Sequence, residues 1–264
     1  MSDGHKPVLF DVSDGVAIVT LNVPQKRNAF GGDMPRALSE AYSRCDADDD
    51  VRAVVLTGTP PAFCAGADLS EGGATFRKRD ESTFSAAGVA MTAWRVRKPV
   101  IAAVNGHAIG VGLTLALQCD IRIFAAEAKY GVVQVRRGVM GDGFSHWTLP
   151  RIAGMSGAAE VLLTGKLFDG EEARELGLCR RVLPNAEVLP AALDLACDIA
   201  INTAPLSVAY SKALLWQTWQ HSADDVERLE TEYHHRLMGQ PDARRGVLAF
   251  LENRPPRWTG RING

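Results

Sequence analysis

The residues in this sequence that most suggest chemistry are small ones. Phe63-Cys64-Ala65-Gly66-Ala67-Asp68-Leu69 follows a Pro60-Pro61 step, and further on Gly110-Val111-Gly112 opens an apolar segment. Small residues let a ligand approach the main chain closely. A helix beginning after Gly110 leaves unpaired N–H groups and the positive end of a dipole at its start. Groups of this kind hold negative charge, and fixed N–H donors aimed at a developing oxyanion are worth about 2.7–4 kcal/mol each. Taken alone, Ala65-Gly66-Ala67 is equally a plain turn, and Gly110-Val111-Gly112 lacks the third glycine of a dinucleotide-binding turn. Ser145-His146 suggests a hydrolase, but adjacent residues do not easily form a nucleophile–base pair, and there is no Gly-x-Ser-x-Gly elbow.

Other function classes are bounded by composition. The chain has 264 residues, 46% apolar and 23% charged, with a formal charge of −2. That balance argues against a general nucleic-acid binder. The five cysteines are odd in number and form no CxxC pair, which predicts reduced thiols, no zinc site and a cytoplasmic location. Met1 to Pro7 is polar and predicts no signal peptide, and no run reaches the ~18–20 apolar residues of a membrane span.

The elements that must position these residues change character along the chain. Val8 to Val12 and Val16 to Asn22 read as strands joined by a hairpin at Asp14-Gly15. Met34 to Asp46 reads as a helix with Asp33 as a candidate cap. Arg52 to Thr57, Pro99 to Val104 and Ile121 to Ala125 are apolar runs that predict strands buried on both faces. Pro60 to Gly73 reads as loop, Phe84 to Arg97 as helix and Gly110 to Gln118 as a short buried helix. From Leu149 onward the pattern is nearly all helical: Ser156 to Thr164, Gly170 to Leu176, Val188 to Ile201, Pro205 to Gln220, Asp224 to Met238 and Pro241 to Asn253. The pattern predicts an α/β core over residues 1–200 and a helical lid or assembly region over 201–264. Trp94, Trp216 and Trp219 read as core or interface residues, and His107 as structural.

The two small-residue segments, in order, resemble the paired signature of the crotonase (enoyl-CoA hydratase/isomerase) superfamily. The second runs from Lys98-Pro99-Val100-Ile101-Ala102-Ala103-Val104 through Asn105-Gly106-His107-Ala108-Ile109 to Gly110-Val111-Gly112. Gln25-Lys26-Arg27-Asn28-Ala29, Gln118-Cys119-Asp120, Gly165-Lys166-Leu167-Phe168-Asp169 and Phe250-Leu251-Glu252-Asn253-Arg254 extend the match from about Val8 to Arg257. The resemblance implies a β-β-α superhelix with a helical C-terminal oligomerisation region, an acyl-CoA thioester substrate, no separate cofactor or metal, and a homotrimer or dimer of trimers. It implies that the N–H groups of Ala67 and Val111 hold the enolate oxygen. It also carries coenzyme A contacts onto Lys26, Arg27, Ala29, Ala65, Asp68 and Leu69. Phe250 would be an adenine-side aromatic, which in this family often reaches a neighbouring subunit. Lys26 and Arg27 suit phosphates, or are an ordinary solvated loop. Asn253 stands where the family often has lysine, with Arg254 as a possible substitute.

The departures from the family pattern bear on the reaction. The two water-activating glutamates of hydratases would fall at Thr114 and Gln134, and neither is an acid. Asp142, in Gly138-Val139-Met140-Gly141-Asp142-Gly143, matches an aspartate that faces the acyl group in some relatives, isomerases among them. One acid suffices to move a proton between two carbons, help worth about 10²–10⁴-fold, and a dry pocket would raise its pKa. The other reading of Asp142 is a turn aspartate. His146 would orient Asp142, line the acyl pocket or pack a helix. Gly141 and Phe144 replace a usual proline and glycine, changes that alter the turn and narrow the pocket. The expected activity is enoyl-CoA isomerisation; the alternatives are hydration, nucleophilic attack by Asp142, or acyl-CoA binding without turnover.

Overall fold

A computed structural model describes residues 6–80, 82 and 84–263; residues 1–5 of the polar N-terminal segment lie outside it. The chain opens with β1 (Val8–Ser13) and β2 (Val16–Leu21), an antiparallel pair in which Ser13 faces Val16. Asp14 and Gly15 join them with φ of 50° and 80°, the two left-handed residues that match a two-residue turn to strand twist. Helix α1 (Met34–Ala47) buries Met34, Leu38, Ala41, Tyr42 and Cys45, as its spacing predicts. Asp33 does not cap it through its side chain; its carboxylate instead pairs with Arg36 at 3.2 Å.

The remaining strands fall into two sheets. β3 (Ala53–Gly58), β5 (Val100–Val104), β7 (Ile121–Ala125) and β9 (Arg181–Leu183) add in parallel to β2, giving the order β1-β2-β3-β5-β7-β9. β3 and β5 are buried at every residue, as their unbroken apolar runs require. The second sheet is small and parallel: β4 (Ala62–Cys64), β6 (His107–Ile109) and β8 (Tyr130–Gly131). Successive turns of chain therefore give one strand to each sheet and then a helix: β5, β6 and α2 (Val111–Leu117), then β7, β8 and α3 (Ser145–Thr164). This is the β-β-α superhelix. Strands of two or three residues show no period, so β4, β6, β8 and β9 were not expected from sequence.

Phe84 to Arg97 is not the expected helix. Only Ala93–Arg95 forms a 3-10 turn. The backbone bonds outward instead: the Ala90 and Met91 N–H groups donate to Ser39 Oγ at 2.9 and 3.3 Å, and Ala86 O accepts from Gly143. Helix α3 starts earlier than its apolar pattern suggests, with Pro150 inside it and a sharp break at Gly154. Helices α4 (Gly170–Glu175), α5 (Asn185–Asn202), α6 (Pro205–Gln217), α7 (Ala223–Leu237) and α8 (Pro241–Leu251) complete the chain. Asp169 begins α4 in a reciprocal capping box with Glu172, and Ser222 begins α7 in one with Asp225. No single described helix is long and apolar enough to cross a membrane. All five cysteines are unpaired, and burial pushes the Cys45, Cys64 and Cys119 thiols up to about 12, where they are not nucleophiles.

Candidate active site

Two glycines bring the small-residue segments together. β4 and β6 pair with Cys64 opposite Ala108. Just beyond, a Cβ on Gly66 would lie 2.9 Å from the Ile109 carbonyl oxygen, and one on Gly112 would run into Cys64 O and stand 2.8 Å from Cys64 Cβ. Gly66 also has φ of 99°. Only glycine allows both the approach and that backbone. The segment carrying Ala67 thus lies against the start of α2, where Val111 is the first helical residue. Among the described residues neither the Ala67 nor the Val111 N–H has a hydrogen-bond acceptor. For Val111 this follows from helix geometry, since the first turn has no preceding carbonyls to bond.

The Lys26–Phe30 loop is stitched to the same segment. Ala65 N–H donates to Arg27 O at 3.0 Å, Phe30 N–H to Gly66 O at 2.7 Å and Asp68 N–H to Phe30 O at 3.0 Å. Lys26 Nζ sits 2.7 Å from Asp68 Oδ2 and 3.0 Å from Ser70 Oγ. The Lys26 ammonium and the Ser70 hydroxyl and N–H hold the Asp68 carboxyl down at about 2. Lys26, Arg27, Ala29, Ala65, Asp68 and Leu69 therefore form one cluster, with Leu69 exposed at its rim. Phe250 lies on α8 and is 83% exposed.

Sequence reasoning missed the role of Asn28. It is fully buried with φ of 54°. Its Oδ1 accepts from Val23 N–H at 2.8 Å, and its Nδ2 donates to Thr59 O at 2.8 Å and Ala62 O at 2.7 Å. These bonds fix the loop on β4. The signal available was its place beside Lys26 and Arg27, but an asparagine in a polar loop does not announce burial.

Asp142 reaches this site through Gln134. It is half-buried, and its Oδ1 accepts from Gln134 Nε2 at 3.0 Å. Burial pushes the carboxyl above its ordinary value, opposed by its own backbone N–H and by the Gln134 amide. The Gln134 amide in turn lies against Gly110, the residue before Val111. The loop that follows is tied to α2 by Gln118, whose Nε2 donates to Gly143 O at 3.0 Å. The signal for Gln118 in the sequence is a polar residue one turn after Thr114 in an otherwise apolar segment.

The first glutamate position is sealed. Thr114 is fully buried, its hydroxyl donates to Val111 O at 3.1 Å, and a Cβ on Gly143 would collide with Thr114 Oγ1. Gly141 is equally tight, its absent Cβ standing 2.6 Å from Ser145 Oγ. Phe144 has φ of 64° and meets Trp94 edge-on at 6.0 Å. Trp94 packs in turn on Trp147 at 5.3 Å and Trp216 at 6.1 Å, whereas Trp219 is exposed. His146 is exposed and makes no bond to Asp142; contrary to the expectation for adjacent residues, its Nδ1 lies 3.3 Å from Oγ of the fully buried Ser145. His107 Nδ1 accepts from Lys129 N–H at 2.9 Å, a structural contact.

A family model described as enoyl-CoA hydratase/isomerase matches residues 11–261. The chain belongs to the enoyl-CoA hydratase/isomerase family. Among curated relatives, an enoyl-CoA hydratase of Alternaria alternata is 37% identical over 93% of this chain and 83% of its own length. The 1,2-epoxyphenylacetyl-CoA isomerase of Escherichia coli is 32% identical over 96% of this chain and 98% of its own. Among solved structures, a probable enoyl-CoA hydratase/isomerase from Mycobacterium abscessus superposes with a TM-score of 0.93 at 51% identity, covering 96% of this chain and 99% of that one. An enoyl-CoA hydratase from Mycobacterium tuberculosis H37Rv gives 0.87 at 32% identity, covering 96% and 99%. The family thus includes members named for hydration and members named for isomerisation.

Proposed function

We propose that this enzyme moves a double bond within an enoyl-CoA thioester, with Asp142 as the acid–base group and the Ala67 and Val111 N–H groups holding the enolate oxygen. The reading is carried by one contrast. A carboxyl whose pKa burial raises is hydrogen-bonded to Gln134, whose amide lies against Gly110 at the start of α2, while the neighbouring position that would hold a hydratase's first glutamate is a threonine closed over by Gly143. Isomerisation needs a single group that takes a proton from one carbon and returns it to another. Hydration also needs a water held and activated by further groups, and neither the Thr114 hydroxyl nor the Gln134 amide accepts a proton near neutral pH. A carboxyl kept partly out of water has its pKa moved toward the working range.

The coenzyme A part of the substrate is assigned to the surface made by Lys26, Arg27, Ala29, Ala65, Asp68 and Leu69. The Lys26–Asp68 ion pair is exposed, so a phosphate competes with Asp68 in water, where such pairs are weak. Phe250 serves the adenine only if a second copy brings it there. The exposed Val247, Phe250 and Leu251 on α8 suit packing of copies into a trimer or a pair of trimers.

The test gives purified protein a 3-enoyl-CoA and a 2-enoyl-CoA in parallel and follows the conjugated thioester absorbance. The expected result is conjugation of the 3-enoyl substrate, lost by about 10²–10⁴-fold in Asp142→Asn. Consumption of the 2-enoyl signal instead would establish hydration. Tight binding with neither change would make the protein an acyl-CoA binder.

A further inference from the structure

Gln134 is only 6% exposed and is unusually placed for a buried amide. Its Nε2 donates to Asp142 Oδ1 at 3.0 Å, while its Oε1 is enclosed and has no partner among the described residues. Buried carbonyl oxygens without a partner are uncommon and destabilising, so this one calls for a reason. Asp142 supplies it. An ionised carboxylate only accepts, which fixes Nε2 toward it and leaves Oε1 alone. A protonated carboxyl has an O–H to give. The last torsion of a glutamine is broad and roughly two-fold, so the amide turned over occupies nearly the same space.

We propose that Gln134 is a positioning residue that follows the proton: its amide donates to ionised Asp142 and turns over when Asp142 has taken the substrate proton, so that Oε1 accepts the new O–H. The proposal rests on the reading of Asp142 as the base. The proton leaves one carbon as the C–H electron pair moves into the enolate. It resides on an Asp142 oxygen and returns to a second carbon, and nothing is consumed. Negative charge meanwhile moves from the carboxylate to the thioester oxygen. The amide lies against Gly110, with Nε2 3.3 Å and Oε1 3.5 Å from where a Cβ would be. Its dipole therefore reverses next to the residue that precedes Val111, in step with the charge.

Charged groups do not compete for this role. α2 offers Asp142's loop only Thr114 and Gln118. On the 3-10 turn Gln134–Arg137, Arg136 is turned away to bond Thr164 O at 2.7 Å and Arg137 is exposed. The start of α3 offers Ser145 and an exposed His146 that approaches Ser145. Among the described residues no charged side chain forms an ion pair or hydrogen bond with Asp142.

The experiment compares the pH dependence of kcat/KM in wild type, Gln134→Met and Gln134→Glu, with folding checked by circular dichroism. Methionine removes donor and acceptor at similar length. The acid limb is expected to rise by about one pH unit, because the carboxylate loses a bond to its charged form. Glutamate sets a like charge beside Asp142 and is expected to raise the limb further. In ¹⁵N-labelled wild type, the Gln134 side-chain resonance, identified by its absence in Gln134→Met, is expected to move with the midpoint of that limb. An acid limb unchanged in both folded variants, or a Gln134 resonance that does not move, overturns the proposal. If Asp142→Asn keeps full activity, the base assignment itself is wrong and this proposal goes with it. An inactive Asp142→Asn with unchanged limbs in the Gln134 variants removes only the role of Gln134.

Discussion

At the scale of single residues the site is a compromise between stability and chemistry. Burial raises Asp142 above its ordinary value, and few partners oppose that shift. A carboxyl raised in the folded state binds its proton more tightly there than in the unfolded chain. Its favourable contribution is complete below the unfolded value and is lost as pH rises through the folded one. Near neutral pH ionised Asp142 therefore weakens the fold. Asp142→Asn keeps the geometry and can still accept from Gln134 Nε2. The expected outcome is a variant with a higher Tm than wild type at pH 7, no difference below the ordinary carboxylate range, and greatly reduced turnover. Thermal melts at the two pH values check the sign; an unchanged or lower Tm at pH 7 would show that Asp142 is not held against its solvation.

At the scale of elements, legibility in the sequence followed length and chemistry. β3 and β5 were readable because a parallel strand buried on both faces is a continuous apolar run. α1 was readable from its single buried stripe. The small sheet was not, because Ala62–Cys64 and His107–Ile109 are too short to show a period, yet it sets the meeting of Gly66 with Ile109 and of Gly112 with Cys64. The expected helix from Phe84 to Arg97 failed for another reason: Ser39 Oγ and the Gly143 N–H, both distant in sequence, capture its backbone groups. Asp142 was picked out from sequence, whereas its link to α2 through Gln134 and Gly110 needed the fold. The crossing of β4 and α2 carries a prediction of its own. In Gly112→Ala the new methyl meets the Cys64 carbonyl and Cβ, so the two segments must separate. Overpacking of this kind costs about 1–3 kcal/mol, and the proposed Ala67 and Val111 donors would be moved apart. The expected kinetic signature is a fall in kcat of about 10²-fold, comparable with loss of one oxyanion donor. Single-turnover rates and urea melts on the same variant check both parts, and wild-type rates would show that the contact does not set donor spacing.

At the scale of the whole molecule, helix α6 meets the core at a largely buried ionic cluster around Asp120 and Lys212. Asp120, directly before β7, accepts from Val100 N–H at 2.7 Å and from Trp216 Nε1 at 2.6 Å. Lys212 on α6 lies 2.6 Å from Asp120 Oδ2 and donates to Ala93 O at 3.0 Å and Lys98 O at 2.9 Å. Every proton of that ammonium has an acceptor, which is what makes a buried lysine tolerable. The same cluster holds the end of α2, the start of β5 and the Trp94–Trp147–Trp216 stack, whose Trp94 touches Phe144 beside Asp142. Damage at Lys212 is thus expected to reach Phe144 and the loop that carries Asp142. Lys212→Met leaves the partly buried Asp120 carboxylate without its counter-charge, a change that costs up to about 3–5 kcal/mol. Asp120→Asn together with Lys212→Met removes both charges and is expected to recover a large part of that loss, since no uncompensated charge is then left behind and the amide oxygen that replaces the carboxylate still accepts from a neighbouring N–H. Chemical denaturation of the two single variants and the double variant gives the coupling directly. Trp216 fluorescence reports whether α6 leaves the core before the sheet melts. Additive losses in the double variant would mean that Asp120 and Lys212 act separately, and that other contacts, such as those of Asn263 with Asp46 and Asp49, hold the helical region to the core.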